Sequence, residues 1–342
     1  MSRHRIAIIG LGMAVTPHAK SLLDLGDRVE VACAMTPSTV RRQAFSSRFS
    51  FSTSDNLKRI VDDGSITAAA VLTPPNTHLE IVEELARAGK HILLEKPLDV
   101  STARAERLVG ICREAGVTLG VVLQHRFKPA AERLAAVLRE DGLGRIVNCS
   151  TAIRVWRPQS YYDEPGRGTK ARDGGGVLLT QGIHTLDLML SLAGPVVEVC
   201  GYARTTPVHR METEDLVSAA VRFASGAIGV IDATTTAYPG SAERIDLIGT
   251  KGTASLAGTA LTLAYHDGRH EEIAADASAG GTGADPMAFP HDYHLGVWRD
   301  FLDAIEQKRQ PRISGEEALK VHRLIDALLA AGDTGGKVGV VQ

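Results

Sequence analysis

Ile6-Ala7-Ile8-Ile9-Gly10-Leu11-Gly12-Met13-Ala14-Val15 carries the chain from an apolar, β-branched run through two glycines into a stretch with helical spacing. A run of this kind reads as a strand buried on both faces, and the glycines as the tight turn that feeds a helix. Gly10 suits the sharp bend, and Gly12 lets the backbone approach a pyrophosphate at the helix N-terminus, with Leu11, Met13 and Ala14 completing the turn. Val15 stands where the dinucleotide fingerprint usually has a third small residue, so the match is incomplete. A tight strand–helix turn can use two glycines for its own sake, but at the head of a strand–helix series the turn predicts dinucleotide binding.

That series follows at once. Strands are predicted at Arg5–Ile9, Arg28–Cys33, Ala68–Leu72, His91–Leu94 and Thr118–Leu123. Between them lie amphipathic stretches such as Thr77–Ala88 and Thr102–Glu114, the latter started by Ser101 as N-cap. This alternation builds an α/β domain, a doubly wound parallel sheet of Rossmann type, over residues 1–125. After residue 140 strands are predicted at Arg145–Val155, Val196–Ala203, Leu216–Phe223, Ala227–Thr234, Glu243–Gly249 and Thr253–Ala257. The intervals hold turn pairs such as Ser225-Gly226 and Lys251-Gly252, too short for helical crossovers, so the sheet should be open and mostly antiparallel. One helix interrupts it near Thr180–Leu192, and two more end the chain near Leu295–Gln307 and Glu316–Ala331. Asp276–Pro290, rich in Ala, Gly and Pro, reads as an exposed loop. The second domain is thus α+β over residues 126–342, its last helices expected to pack back over the first domain.

The composition sets the class. With 342 residues, a net charge of −2, 44% hydrophobic and 23% charged residues, the chain can bury two cores and is neither disordered nor a generally cationic nucleic-acid binder. No apolar run approaches the roughly 20 residues that span a bilayer, and Met1-Ser2-Arg3-His4-Arg5-Ile6 has no signal-peptide layout, so a cytoplasmic protein without nucleic-acid or membrane partners is expected. Cys33, Cys112, Cys149 and Cys200 lie far apart with no CxxC pair. They are expected to be small buried hydrophobes, with neither a zinc site nor a disulfide framework.

An NAD-specific site places an acid at the end of the second strand to hold the ribose 2′-hydroxyl. Here that stretch is Ala34-Met35-Thr36-Pro37-Ser38, followed by Arg41 and Arg42. Hydroxyls and guanidiniums suit a 2′-phosphate, so the reading leans to NADP(H) within an NAD(P) site; the plainer account puts both arginines on a solvated helix face. At the C-terminal ends of later strands lie Thr73-Pro74-Pro75-Asn76-Thr77-His78, a rigid loop placed to pass along the nicotinamide half, and Glu95-Lys96-Pro97-Leu98, where Pro97 restricts the backbone of Lys96. Strand-end lysines usually reach into solvent, so Lys96 alone does not establish chemistry.

Taken together, several motifs resemble the glucose–fructose oxidoreductase / inositol dehydrogenase / MocA (Gfo/Idh/MocA) family of nicotinamide-dependent sugar and polyol dehydrogenases. They are Gly10-Leu11-Gly12, Thr73-Pro74-Pro75 with His78, Glu95-Lys96-Pro97-Leu98, Gln124-His125-Arg126-Phe127, Gly174-Gly175-Gly176 with His184 and Asp187, and Pro311-Arg312-Ile313-Ser314-Gly315-Glu316. They stand in the family's order over nearly the whole chain; the Glu-Lys-Pro and Gly-Gly-Gly…His segments are the most specific. The resemblance implies a Rossmann domain, a second domain whose open sheet often mediates oligomerisation, here to a homodimer or homotetramer, and a substrate site between them. It implies that Gly10 to Ala14, Thr36, Ser38, Arg41, Thr73 to Asn76, His78, Glu95, Lys96, Gln124 and Arg126 serve the cofactor, and that Arg126 also serves the substrate.

In this family the lysine of Glu-Lys-Pro moves a proton and places the substrate, which fits Lys96, and a histidine after the glycine run assists as acid or base, which fits His184. Members commonly carry an aspartate four residues before that histidine; this chain has Thr180. A carboxylate there shares the histidine's helix face and can orient the imidazole, whereas threonine can only hydrogen-bond to it. Either the substrate is held differently or Lys96 is the main proton carrier, and Asp187 either orients the ring or faces solvent. Hydride transfer from a carbinol carbon needs a base on its hydroxyl. An amine beside a positive nicotinamide and partly desolvated would have its pKa lowered, making Lys96 such a base.

Trp156, Tyr161 and Tyr162 with Arg157, Arg167 and Arg172 concentrate aromatic and guanidinium groups in one loop of a chain with only 4% aromatic residues, which suits a sugar ring and an attached anion. Trp156, Tyr161, Tyr162, Arg167, Thr180 and His184 are therefore substrate candidates, and the stretch resembles the branch acting on sugars and nucleotide sugars; a lid or subunit contact is the alternative. His291, His294 and Trp298 are candidates to reach the cleft, with a plain helix-end location accounting for them equally well. A metal hydrolase using His78, His184, Asp187 and His291 is disfavoured, because no compact ligand spacing is present and no metal is expected. The remaining alternatives are a family glycosidase that oxidises its sugar transiently with NAD, and a nucleotide-binding regulatory member without catalysis.

Overall fold

The computed structural model describes residues 3–276 and 290–342. The chain forms two compact units, Met1–Leu123 with His291–Leu319, and Gln124–Pro290 with Lys320–Gln342.

The first unit is built on β1 (His4–Ile9), β2 (Val29–Met35), β3 (Thr53–Ser54), β4 (Ala68–Val71), β5 (His91–Glu95) and β6 (Leu119–Val122). All pairings are parallel and the order is β3-β2-β1-β4-β5-β6, the doubly wound arrangement predicted. The order reverses between β2-β1 and β1-β4, and ligands of such sheets bind outside the strand ends at that reversal. Ile6, Ala7, Ile8 and Ile9 are fully buried, as a strand covered on both faces requires. Ser101 caps the helix Thr102–Glu114 by accepting the Arg104 N–H. The returning helix Asp292–Gln307 packs on β6, where Gly120 leaves room for the Phe301 ring: a Cβ there would lie 2.9 Å from it. β3 escaped prediction because two residues carry no periodicity.

The second unit carries β7 (Ile146–Arg154), β8 (Val196–Arg204), β9 (Leu216–Phe223), β10 (Ile228–Thr234), β11 (Arg244–Gly249), β12 (Gly252–Ala257), β13 (Ala260–Tyr265), β14 (His270–Ile273) and β15 (Lys337–Gly339). Their order is β14-β13-β12-β11-β7-β10-β9-β8-β15. Only β7 and β10 pair in parallel; the other ladders are antiparallel. The helix Ile183–Ala193, entered through a π-helical turn Leu178–Gly182, lies against β7 and β11. The opposite face of the sheet exposes Tyr202 (66%), Ile228 (62%), Val230 and Ile248, and Cys200, Tyr202, Ser218, Val230 and Asp232 line a shallow hollow of about 350 Å³ in it.

Some expectations need correction. β13, β14 and β15 lie beyond the strands predicted: β14 and β15 are short polar edge strands without an apolar signature, whereas β13, an interior strand with Leu261 and Leu263 buried, carries the alternation and was missed. Cys112 and Cys149 are buried, with burial pushing each thiol up to about 12, but Cys33 is half-buried and Cys200 exposed. Cys200 sits on the outward-facing side of β8, where period-two alternation places it. The predicted loop Asp276–Pro290 lies, apart from its two ends, outside the described residues. Among the described residues one helical stretch, Lys170–Ala193, is long and apolar enough to cross a membrane, but 72% of its most apolar 18 residues are buried, as befits the core of a domain.

Candidate active site

At the β1 turn Gly10 has φ +101°, and a Cβ on it would lie 2.7 Å from the Leu72 carbonyl and 2.9 Å from the Thr73 nitrogen. Its N–H donates to Met35 O at 2.8 Å, so the turn is bound to β2 and crowded against the end of β4. A Cβ on Gly12, by contrast, would meet nothing within 4 Å. This open space lies before the helix Val15–Asp24, whose first turn has no side-chain cap. Uncapped N–H groups beside a glycine with free space above it fit a pyrophosphate. Val15 is buried at 4% exposure, so the helix seats a valine where a smaller residue was expected.

At the end of β2 Thr36 is buried, and Ser38 caps the helix Thr39–Ser46 through the Arg41 N–H. Arg42 donates to the carbonyls of Thr36 (2.6 Å) and Pro37 (3.0 Å) and to Thr39 Oγ1, holding the turn together. Of the two arginines, only Arg41 is exposed on its helix, and neither Met35 nor Thr36 supplies a carboxylate.

The Thr73–Thr77 loop leaves Pro74 and Asn76 exposed, while Thr77 Oγ1 donates to Thr73 Oγ1 at 2.8 Å. His78 is different. It is fully buried, with Nε2 2.8 Å from Thr73 O and Nδ1 3.1 Å from both Pro97 O and Leu98 O. A ring without solvent exposure, spent on backbone carbonyls, ties the loop after β4 to the loop after β5; the expected cofactor contact is corrected to this scaffolding role.

Glu95 ends β5. Its Oε2 accepts the Lys96 N–H at 3.0 Å, and its Oε1 lies 3.0 Å from His18 Nε2. His18 is fully buried on the helix Val15–Asp24, and its Nδ1 accepts the indole N–H of Trp298 at 3.1 Å. Burial raises the Glu95 carboxyl pKa, but the hydrogen bond from His18 and the charges nearby outweigh it, so the pKa lies below its ordinary value. His294, also buried, has its pKa driven down to about 3 chiefly by desolvation. Trp298 is a core residue with no exposed surface, and His291 pairs with Asp24 at 2.7 Å; for these residues the helix location prevails over a cleft role.

In the second unit the glycine run leads into the core helix. Gly176 packs so closely on Glu214 that a Cβ would collide with its carbonyl, and the Glu214 carboxylate accepts the N–H groups of Gly176 (3.0 Å) and Leu178 (3.1 Å). Desolvation still pushes the Glu214 pKa up. His184 is half-buried, its ring 4.9 Å from that of His125 at a tilt of 33°. His125 Nδ1 lies 3.5 Å from Glu243 Oε2, which accepts the Thr185 hydroxyl at 2.7 Å. Thr180 donates its hydroxyl to Gly176 O (2.6 Å) and contacts the Gln181 amide oxygen. Asp187 is 1% exposed and grips Arg126 through two bonds of 2.6 and 2.8 Å, so it does not face solvent. Gln124 is buried, and among the described residues its amide oxygen has no hydrogen-bond partner.

The aromatic loop is partly structural. Tyr162 is buried and donates to Thr235 Oγ1 at 3.0 Å, which corrects its assignment as a substrate contact: the hydroxyl and ring are both used inside the fold. Arg167 binds Glu164, donates to the Tyr161 hydroxyl at 2.9 Å and stacks 4.3 Å above the Tyr161 ring, leaving Tyr161 as a braced platform. Trp156 packs edge-on against Tyr238 at 5.5 Å.

Sequence reasoning passed over His18, Glu214 and Glu243. His18 could have been flagged as a polar residue three positions after Val15 on the buried face of the first helix; the two glutamates carry no local signal.

These features define a Rossmann-type α/β protein whose first strand–helix turn suits the pyrophosphate of a nucleotide. Comparison with known proteins gives the family. Residues 4–123 match the oxidoreductase family model with an NAD-binding Rossmann fold, and residues 131–255 match the Gfo/Idh/MocA C-terminal domain. The chain belongs to the Gfo/Idh/MocA family and is an NAD(P)-dependent oxidoreductase. It is 25% identical over 321 residues to myo-inositol 2-dehydrogenase of Thermotoga maritima, covering 92% of this chain and 91% of that one. It is 27% identical over 259 residues to scyllo-inositol 2-dehydrogenase (NAD(+)) of Bacillus subtilis, covering 72% of each. Among solved structures it resembles the WlbA dehydrogenase of Bordetella pertussis in complex with NADH and UDP-GlcNAcA, with a TM-score of 0.85, 27% identity, and coverage of 100% and 99%.

Proposed function

We propose that the protein transfers a hydride between a nicotinamide cofactor and the hydroxyl- or keto-bearing carbon of a sugar, polyol, sugar acid or nucleotide sugar. The observation that carries this reading is the Glu95-Lys96 strand end, with Lys96 anchored through its backbone on a parallel sheet that also presents the Gly12 cradle. The family membership and the dehydrogenase activities named for its relatives support the substrate class.

Gly10 to Ala14 hold the pyrophosphate, with the N–H groups of the first helical turn directed at it. When bound, the nicotinamide supplies or accepts the hydride. Lys96 holds the substrate hydroxyl, taking its proton on oxidation and returning it on reduction. His184 assists that proton movement and places the substrate. A threonine at position 180 supplies no carboxylate to orient His184, and this supports Lys96 as the main proton carrier. Arg126, oriented by Asp187, and the Tyr161 platform contribute to substrate binding.

Within NAD(P), NADP(H) is favoured: the end of β2 has no acid, and Arg41 is exposed beside the Ser38 cap. The exposed apolar face of the nine-stranded sheet supports assembly to a homodimer or homotetramer, and the cytoplasm is the proposed compartment. A panel of sugars, polyols and sugar acids, followed by reduced-nicotinamide absorbance with each cofactor, tests the proposal. Turnover of at least one such alcohol with net cofactor reduction is expected; release of an aglycone with no net cofactor change would instead indicate a glycosidase.

A further inference from the structure

Residues widely separated in sequence meet at the Glu95 carboxylate. An indole nitrogen can only donate, so the Trp298 N–H bonded to His18 Nδ1 requires that nitrogen to be bare. The single ring proton of neutral His18 therefore sits on Nε2, pointing at Glu95 Oε1, while Oε2 takes the Lys96 N–H. His18 and Trp298 have no exposed surface, so water does not compete for these bonds. Both carboxylate oxygens are thus fixed, and with them the backbone from which the Lys96 side chain leaves the strand. His294 stands edge-on to His18 at 5.0 Å and, neutral at physiological pH, walls the carboxylate in.

The same geometry argues against another use of the cluster. His18, Glu95 and His294 bring ligand atoms within 4.8 Å of one another, as a metal site would. Yet the His18 nitrogen facing Glu95 carries the proton, and Trp298 fixes that tautomer, so His18 directs no lone pair at a cation there.

We propose that Trp298 and His18 are positioning residues that act through Glu95 to set Lys96 for proton transfer. The proposal rests on the catalytic reading of Lys96 and adds to it a buried chain reaching from the helix Asp292–Gln307 to the backbone of Lys96. Carboxylates hydrogen-bonded through both oxygens hold their orientation, and small misplacements of a reacting group cost about 100-fold in rate.

The test has two parts. In the unmodified enzyme labelled with ¹⁵N-histidine, and with His18 assigned from the missing signals of His18→Gln, NMR should show at neutral pH a protonated Nε2 and an unprotonated Nδ1. Trp298→Phe, which keeps a ring in the core, should shift the Nδ1 resonance. An Nδ1-protonated or doubly protonated His18 would overturn the proposal. In kinetics, His18→Leu should lower kcat about 10- to 100-fold with the cofactor Kd changed less than about threefold, and His18→Gln, whose amide N–H reaches toward the Nε2 position, should recover most of the loss. Unchanged kcat in both His18→Leu and Trp298→Phe would overturn the positioning role even if Lys96→Ala is inactive. Normal turnover in Lys96→Ala would instead remove the catalytic reading while leaving the tautomer result intact, so the two failures are distinguishable.

Discussion

Gly10 and Gly12 belong to one turn but should fail in different ways when given a methyl group. In Gly10→Ala the new Cβ would lie 2.7 Å from the Leu72 carbonyl at a φ of +101°, so the end of β1 must move away from the end of β4. The backbone conformation costs about 1–3 kcal/mol in a non-glycine residue, and forcing an atom into packed backbone adds about 1–3 kcal/mol. A loss of about 2–5 kcal/mol in unfolding free energy without cofactor is expected. In Gly12→Ala the methyl enters open space, so stability should stay within about 1 kcal/mol of the original. That space is where the pyrophosphate is proposed to lie, so nicotinamide cofactor should bind about 10- to 100-fold more weakly, the equivalent of an overpacking penalty of a few kcal/mol. Denaturant unfolding of the cofactor-free proteins and fluorescence titration with NADH and NADPH give both quantities. Equal destabilisation in the two variants, or an unchanged cofactor Kd in Gly12→Ala, would refute the reasoning.

Other outcomes follow from the same structure. NADPH should bind more tightly than NADH, with Arg41→Ala narrowing the difference; tighter NADH binding in the native protein would reverse the assignment. Burial raises the folded-state pKa of Glu214 above its ordinary value near 4.5, so the proton is held more tightly folded than unfolded. Stability should therefore fall as pH rises from about 4.5 through that raised value, and Glu214→Gln should flatten this slope in pH-dependent unfolding. Cys200 should react with a thiol reagent in dilute protein while Cys112 and Cys149 stay inert, and its reactivity should drop at concentrations where chains associate through the open sheet face. Constant Cys200 reactivity across the association range would argue for a different interface.

The first domain was legible because its strands are apolar and its turns punctuated. β1, β2, β4, β5 and β6 fall within a residue or two of the predicted spans, and Thr102–Glu114 and Leu216–Phe223 match theirs. Short edge strands such as β14 bury too little to leave a pattern. At the site, sequence spacing singled out Lys96 and His184 as candidates but could not see how side chains are spent. His78 looked like a loop residue facing ligand and is a fully buried clasp between two loops; Tyr162 looked like a sugar platform and is a core phenol. The His18–Glu95–Trp298 chain was invisible for a simpler reason: its members lie 77 and 280 positions apart from His18, and no local rule joins them.

The central claim concerns the amine of Lys96, and single-turnover kinetics of Lys96→Ala beside cofactor titration addresses it most directly. The account predicts hydride transfer slowed by orders of magnitude with NAD(P)H bound nearly as well as before; near-native transfer rates in that variant would contradict it.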